Sequence, residues 1–534
     1  MPDRFHDSTT RASAIFSLPS ALLVSGLLYA WTSTYPLNID SSLYSYMASI
    51  LLKGHWPYVS AVENNFPGTT LFVHLPELLL FGHSIVAFHG WDILWQLTGG
   101  FFLYRIVEQK SSSIAAWLAV ILMAIYYVSL DNLMVAQRDC YATVILLATL
   151  YVLGERPTLR RTCWGGLLYG IALLIRPTNE LLAVAISGWI LSKEWNGIGF
   201  RKVIVFLVSV QWLLAAFALL ALASGNFVDV YNIVIRFNTE VYSHALPLVG
   251  LFYPFAKYWF LIIAVPFGIY AFRKSYRLLF VGLMCASLLT LIPQKRYIYQ
   301  YHTLFVLLLA CSAIGFSWIA TRLRSKHSER EVSFVRIGLP IFVALVSFAV
   351  LTRGTSQKNI FLRWLRGSLP AGPIYWQYDT SRASGYAILD SIGEFLKQHT
   401  RDTDRVQFIG EYVYPLYYAN RVSATRFILM AELEMRGANG LTGYQLRWRE
   451  EFLDSLHTDP PLYIVVPDAP DYARGQLNGL LGHQILAQDL TKLGEFVQNQ
   501  YHLETRIGAF TFYRMNEPLP RKERSKSAII PSPP

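Results

Sequence analysis

Between Ala12 and Leu351 the sequence returns repeatedly to runs of mostly apolar residues, several of them about 20 residues long. A hydrocarbon core of roughly 30 Å needs a helix of about that length, and inside lipid every backbone polar group must be satisfied within its own segment. Repetition on this scale points to a bundle of membrane-crossing helices. Composition agrees, since 53% of the 534 residues are hydrophobic and 15% are charged, far from a soluble average. The fold class read from the sequence is a mainly α, polytopic membrane protein of about 11 transmembrane helices, with a small C-terminal α/β domain outside the cytoplasm.

The first run, Ala12 to Trp31, follows Arg4 and Arg11 and lacks a small-x-small cleavage site, so it reads as a retained anchor with the N-terminus in the cytoplasm. Further spans are expected over Ile85–Ile106, Ile114–Leu130, Tyr141–Leu153, Gly165–Ile175, Leu181–Leu191, Val203–Ala223, Leu251–Phe272, Leu278–Ile292, Thr303–Ala320 and Ile337–Leu351. The run Thr69–Phe81 has 13 residues and contains Pro76, which suits a helix lying at the interface. Alternating the spans puts Arg156, Arg160, Arg161, Lys193, Arg201, Lys202, Arg273, Lys274, Arg277, Arg322, Arg324, Lys326, Arg330 and Arg336 on the inner side. That is the expected bias of cytoplasmic loops. The formal net charge of +11 is thereby explained by loop topology. Without an aromatic-interleaved basic patch no nucleic-acid partner is expected. The layout suits a bacterial inner membrane.

From Thr352 the chain turns polar. Ala387–His399 and Tyr444–Leu456 have helical periodicity, while Val406–Ile409, Leu462–Val466 and Thr505–Tyr513 read as strands, the last as one or two. The expected domains are residues 1–352 in the membrane, with 35–83 as the first outer loop, and 353–516 outside. The tail 517–534, rich in Pro, Lys and Ser, reads as disordered. Cys140, Cys163, Cys285 and Cys311 form no C-x-x-C pair and read as packing residues.

The loop from Tyr35 to Gly68 is long and polar for such a chain. After Asp40, Leu43, Met47, Ile50 and Leu51 fall on one helical face and Ser41, Ser45 and Ser49 on another. Such a helix would lie flat on the membrane, with Asp40 at its N-terminus either as a cap or as a working carboxylate. A Gly-His-Trp-Pro-Tyr turn follows, then Glu63 and Pro67.

This order of first span, Asp-containing loop, amphipathic helix, Gly-x-Trp-Pro turn, acid-x-x-x-Pro and short helix resembles the first outer loop of the GT-C glycosyltransferases. Within them it is similar to bacterial protein O-mannosyltransferases and lipid A aminoarabinose transferases, over roughly Tyr35 to His302. The resemblance implies many spans, an outer C-terminal domain, and a sugar donor on a polyprenyl phosphate. Ser41 stands where relatives carry a second acid beside the first, and Asn64 and Asn65 where they often have Lys. The implied reaction inverts the anomeric centre, and the implied acceptor is a lipid, a glycan or a protein. Membrane lipids are the remaining expected partners.

Transfer from a phosphate ester passes through an oxocarbenium-like state, so a carboxylate helps by taking the acceptor's proton. Asp40 is the candidate base. The second outer loop, LDNLMVAQRDCY, contains Asp131, Arg138 and Asp139. The resemblance places a second acid there, and Asp139 matches better. A leaving lipid phosphate needs cations or oriented donors, for which Arg138, Arg176, Lys295 and Arg296 are candidates, with Tyr301 and His302 beside them. Helix capping accounts equally well for Arg138 and Asp139, snorkelling for Arg176, and an aromatic belt for the stretch Pro293 to His302. Glu63 can orient the acceptor or hold a divalent cation, but a solvated loop acid is the plainer reading. No cofactor motif is present. His55, His74 and His244 lack paired ligand spacing for zinc, and there is no Walker loop, dinucleotide fingerprint or G-x-S-x-G elbow. Two rival classes remain: a transporter or flippase of lipid-linked sugars, and a non-catalytic envelope assembly protein.

Overall fold

Ser17, Asn38, Ser84, Ser112, Thr158 and Thr442 each stand at a helix N-terminus, where the side chain accepts the backbone N–H three residues on. Short hydroxyl and amide side chains suit that position because they satisfy a donor the helix leaves open. The computed structural model describes residues 15–242, 248–272, 274–294, 297–324, 329–353, 359–360, 362–363, 366–368, 374–378, 385–437, 440–468 and 484–516. Lys295, Arg296, His244, Arg273, Lys326 and the tail 517–534 lie outside the described residues.

The chain forms two units. One takes Met1–Tyr35, Ser84–Ala216 and His244–Ile374; the other takes Pro36–His83, Phe217–Ser243 and Tyr375–Pro534.

The first unit is helical. Among the described residues, two helices are long and apolar enough to cross a membrane by length and composition: Gly197–Ala223, with mean hydropathy 2.6, and Ile298–Arg322, with 2.1. They differ in burial, 22% against 78%. Ile204, Val208, Trp212 and Leu219 stand exposed on the first, an apolar face that lipid tolerates and water does not. Other expected spans are shorter, interrupted or more polar. The helix Ile85–Lys110 carries buried His89, Asp92 and Gln96, and Leu251–Phe272 is split into Phe255–Ile262 and Val265–Ala271, with Pro266 opening the second piece. Backbones meet closely where side chains vanish. A Cβ on Gly268 would stand 1.8 Å from the Cys311 carbonyl oxygen, and one on Gly315 2.1 Å from that of Ala264, the small-residue contact that helices use in membranes. The four cysteines are free, but Cys285 is exposed, which corrects the expectation that all four are packed inside.

The second unit is built on a five-stranded sheet: β1 (Arg405–Phe408), β2 (Val422–Ser423), β3 (Tyr463–Pro467), β4 (Tyr501–Ile507) and β5 (Phe510–Met515), in the order β2-β1-β3-β5-β4. β1 is parallel to β2 and β3, whereas β5 is antiparallel to β3 and β4. The last expected strand is thus a hairpin, turned at Gly508, whose φ of 58° suits glycine. Helices Tyr386–His399 and Gly443–Thr458 stand where periodicity predicts them.

Chain segments far upstream complete this unit's core. Tyr58 and Val62 from the opening loop, and Ile233, Val234, Phe237 and Val241 from the helical stretch that follows Phe227, pack with Ile409, Phe427, Trp448, Phe452 and Ile464. Hydrogen bonds fasten the graft: Ser423 N–H donates to the Tyr46 hydroxyl at 2.9 Å, Val62 N–H to the Arg426 carbonyl at 2.7 Å, and Lys53 Nζ to the Asn420 carbonyl at 2.9 Å. The Arg426 guanidinium reaches the Tyr58 carbonyl, Asp229 and Glu451.

The helix Ile39–Leu52 departs from its expected amphipathic form. Ser41, Ser42, Ser45 and Ser49 are buried along with Leu43, Tyr44, Tyr46, Met47, Ala48 and Ile50. Three of these serines return their hydroxyls to the helix or to a histidine: Ser42 to the Asn38 carbonyl at 2.8 Å, Ser49 to that of Tyr46 at 2.7 Å, and Ser45 to His74. A polar residue whose hydroxyl is so bonded can be buried at little cost. After it, Thr70–His74 and Leu75–Phe81 form a continuous helical stretch that leaves Leu79, Leu80 and Phe81 exposed.

Candidate active site

In the first unit, polar side chains gather where the helix Arg138–Leu153 begins. Gln137 stands at its cap, and Arg138 and Asp139 open its first turn, Asp139 buried and Arg138 half-buried. Asp139 sits at the positive end of the helix dipole. Arg176 ends the preceding long helix, Leu159–Ile175, because Pro177 disfavours a helical conformation in the residue before it. Its guanidinium lies 2.5 Å from Asp139 Oδ2, with both side chains at most 4% exposed. A second guanidinium nitrogen donates to Gln294 Oε1, and Gln294 immediately precedes Lys295 in the chain. Thr143 bonds the Asp139 carbonyl and Thr303 Oγ1, each at 2.7 Å.

The snorkelling alternative for Arg176 is overturned by this pairing, since a snorkelling head group reaches water. Tyr301 and His302 are wholly enclosed. The Tyr301 hydroxyl donates to the Leu251 carbonyl at 3.0 Å, and the His302 ring packs against Tyr126 and Tyr127. Both side chains pack among aromatic neighbours of the first unit.

In the second unit the cap question is resolved by geometry. Asn38 Oδ1 accepts Ser41 N–H at 2.8 Å, so Asn38 is the cap and Asp40, half-buried, occupies the first turn. Glu63 is 2% exposed, and its Oε1 accepts the Asn65 backbone N–H at 2.9 Å as well as the Asn65 side-chain amide. It is not a solvated loop acid. Asn238 ties in through the Asn64 carbonyl at 2.5 Å. Glu432 belongs to the same electrostatic neighbourhood: burial, then the nearby Glu411 and Glu63 carboxylates, hold its carboxyl well above the usual range. Glu434 is pushed up to about 8 by burial, reinforced by Asp489 and opposed by Arg449. Ser45, His74 and Glu77 form a further buried set, but Ser45 Oγ at 3.2 Å and Glu77 Oε2 at 3.0 Å meet the same ring nitrogen, Nδ1. A hydrolase relay needs them on opposite nitrogens. Among the described residues, no group of three or more His, Cys, Asp or Glu side chains could hold a metal ion.

Residues 71–223 match the family model described as dolichyl-phosphate-mannose-protein mannosyltransferase. No curated protein matches the chain. Among solved structures, ArnT from Cupriavidus metallidurans bound to undecaprenyl phosphate superposes with a TM-score of 0.59 at 13% identity, over 94% of this chain and 98% of that one. The fold is that of the GT-C glycosyltransferases. The GT-C arrangement extends to two larger proteins. The oligosaccharyltransferase AglB from Archaeoglobus fulgidus, in complex with an inhibitory peptide and a dolichol-phosphate, has a TM-score of 0.50 at 12% identity, over 94% of this chain and 75% of that one. Mycobacterial arabinofuranosyltransferase AftD has 0.52 at 14%, over 94% and 40%.

In this chain, sequence reasoning passed over Asp92, Gln294 and Glu432. Asp92 had a usable signal, being a lone acid in the apolar run Ile85–Ile106, where an ionisable residue points to function by default. Gln294 and Glu432 had none, because an amide before a basic pair and an acid in Ala-Glu-Leu-Glu look like ordinary loop residues until burial is known.

Proposed function

We propose that this protein is a membrane glycosyltransferase that moves a sugar from a polyprenyl-phosphate donor to an acceptor outside the cytoplasm. The observation that carries the reading is the GT-C fold, shared over 94% of the chain with a protein that binds undecaprenyl phosphate. About eleven spans, an N-terminus in the cytoplasm and a hexosyl or pentosyl donor belong to the same proposal.

In the proposed reaction the acceptor hydroxyl oxygen attacks the anomeric carbon, and its proton passes to Asp40. The bond from that carbon to the phosphate oxygen breaks with inversion, and the electron pair leaves on the polyprenyl phosphate. Arg138, with Lys295 and Arg296, holds the phosphate as its charge grows. Asp139 keeps Arg176 in place. A carboxylate in the first turn of the helix that Asn38 caps supports Asp40 as the base, and a guanidinium anchored by an acid and an amide supports a preorganised phosphate grip.

A flippase for the same lipids is the second reading, favoured by Asp92 buried within a helix of the first unit. One assay separates them. Purified protein is incubated with radiolabelled polyprenyl-phosphate sugars, and wild type is compared with Asp40→Asn. Product from wild type and its loss in Asp40→Asn support transfer. Lipid movement across vesicles with no product from any donor supports the flippase, and full turnover by Asp40→Asn removes Asp40 as the base.

A further inference from the structure

Asp92 lies in the helix Ile85–Lys110, 1% exposed. Its Oδ1 accepts from Gln96 Nε2 at 3.3 Å, and its Oδ2 accepts from the Tyr127 hydroxyl at 2.7 Å. The same hydroxyl oxygen accepts the Ala136 backbone N–H at 2.8 Å. Ala136 has a φ of 53°, a left-handed conformation that a residue with a Cβ adopts at a cost. Two residues later Arg138 begins the helix that also carries Asp139. Within the intervening loop, Asp131 Oδ1 accepts Asn132 N–H and the Asp131 carbonyl accepts Met134 N–H, each at 2.7 Å.

We propose that Asp92 and Tyr127 are positioning residues, tethering the left-handed turn at Ala136 and so setting where Arg138 and Asp139 stand for transfer. A hydroxyl that donates to a carboxylate becomes a better acceptor for the next donor in line. The buried acid thus strengthens the bond that holds the backbone in its costly conformation. Core packing alone would not require the phenol oxygen, since a phenylalanine fills nearly the same volume. The catalytic part of the inference rests on the proposed glycosyltransferase reading; the tether itself does not.

The test uses the full chain in lipid nanodiscs, as wild type, Tyr127→Phe, Asp92→Asn and Tyr127→Phe/Ala136→Gly. Amide hydrogen exchange over residues 130–139 reads the tether directly. Roughly tenfold faster exchange in Tyr127→Phe, a smaller rise in Asp92→Asn, and no change in the helices of the first unit outside this window are expected. Unchanged exchange in this loop overturns the tether, as does faster exchange spread over the whole unit. Transfer from a radiolabelled polyprenyl-phosphate sugar reads its consequence. Tyr127→Phe is expected to lose about tenfold in kcat/KM, and Ala136→Gly in that background to restore about a third or more of wild-type turnover, because glycine holds a positive φ without a tether. Damage to packing would not be rescued by that glycine, so an unrescued loss overturns the positioning role. Should wild type transfer no sugar from any donor, the glycosyltransferase reading fails while the exchange result still decides the tether.

Discussion

The Arg176 guanidinium meets the Asp139 carboxylate at 2.5 Å with both side chains almost wholly buried. Breaking one side of such a pair strands a buried charge, which costs about 3–5 kcal/mol, whereas replacing both by apolar residues is often neutral. Arg176→Met is therefore expected to lower the thermal midpoint of the purified protein strongly, and Asp139→Leu/Arg176→Met to recover most of that loss. Neither variant should transfer sugar. Equal midpoints for the single and double variants would refute the account of the pair.

Asn38 and Asp40 are expected to separate stability from chemistry. Asn38→Ala removes the cap and should cost about 1 kcal/mol, read as a lower melting temperature with turnover largely kept. Asp40→Asn should leave melting within about 1 °C of wild type and reduce transfer roughly 100-fold or more. A reversed pattern would mean that Asp40 is structural.

Burial raises Glu434 to about 8 from an ordinary value of 4.5. A carboxyl whose folded pKa is raised keeps its proton longer in the folded state. Its contribution is fully present below about 4.5 and is lost as pH climbs through about 8. Glu434→Gln should accordingly melt several degrees above wild type at pH 8.5, roughly 4 °C or more, and converge with it toward pH 5. Melting curves across that range check the sign; a variant less stable at pH 8.5 contradicts the assignment.

Gly315 faces the Ala264 carbonyl oxygen, 2.1 Å from where a Cβ would stand. Because the obstacle is backbone, relief requires the helices to move apart. Gly315→Ala should destabilise the first unit by roughly 1–3 kcal/mol, while Gly188→Ala, whose Cβ would meet nothing within 4 Å, should be stable. Comparable melting of the two variants would argue against close helix contact at Gly315.

Much of the architecture was legible in local pattern. Apolar runs marked the helices of the first unit, and short runs such as Leu462–Val466 and Val406–Ile409 marked β3 and β1, because burial of one face or of both leaves its own period in the residues. Elsewhere local pattern misled. The serine face of Ile39–Leu52 looked like a surface, yet its hydroxyls are bonded inside, a fate the period alone cannot reveal.

The sequence by itself determined many of the segments that are helix or strand, that the loop after the first span is long and polar, and that Asp40, Glu63, Arg138, Asp139, Arg176, Lys295 and Arg296 are charges worth weighing. Tertiary structure alone decided their partners. Arg176 finds Asp139 37 residues away in the chain, Asn38 displaces Asp40 from the cap, Glu63 is enclosed, and Tyr58 with Phe237 completes a core whose other half is Phe427 and Trp448. The reason is physical: periodicity reports that a face is apolar or a charge is exceptional, but the free energy of burying either depends on what lies opposite, and only the folded chain brings that partner into place.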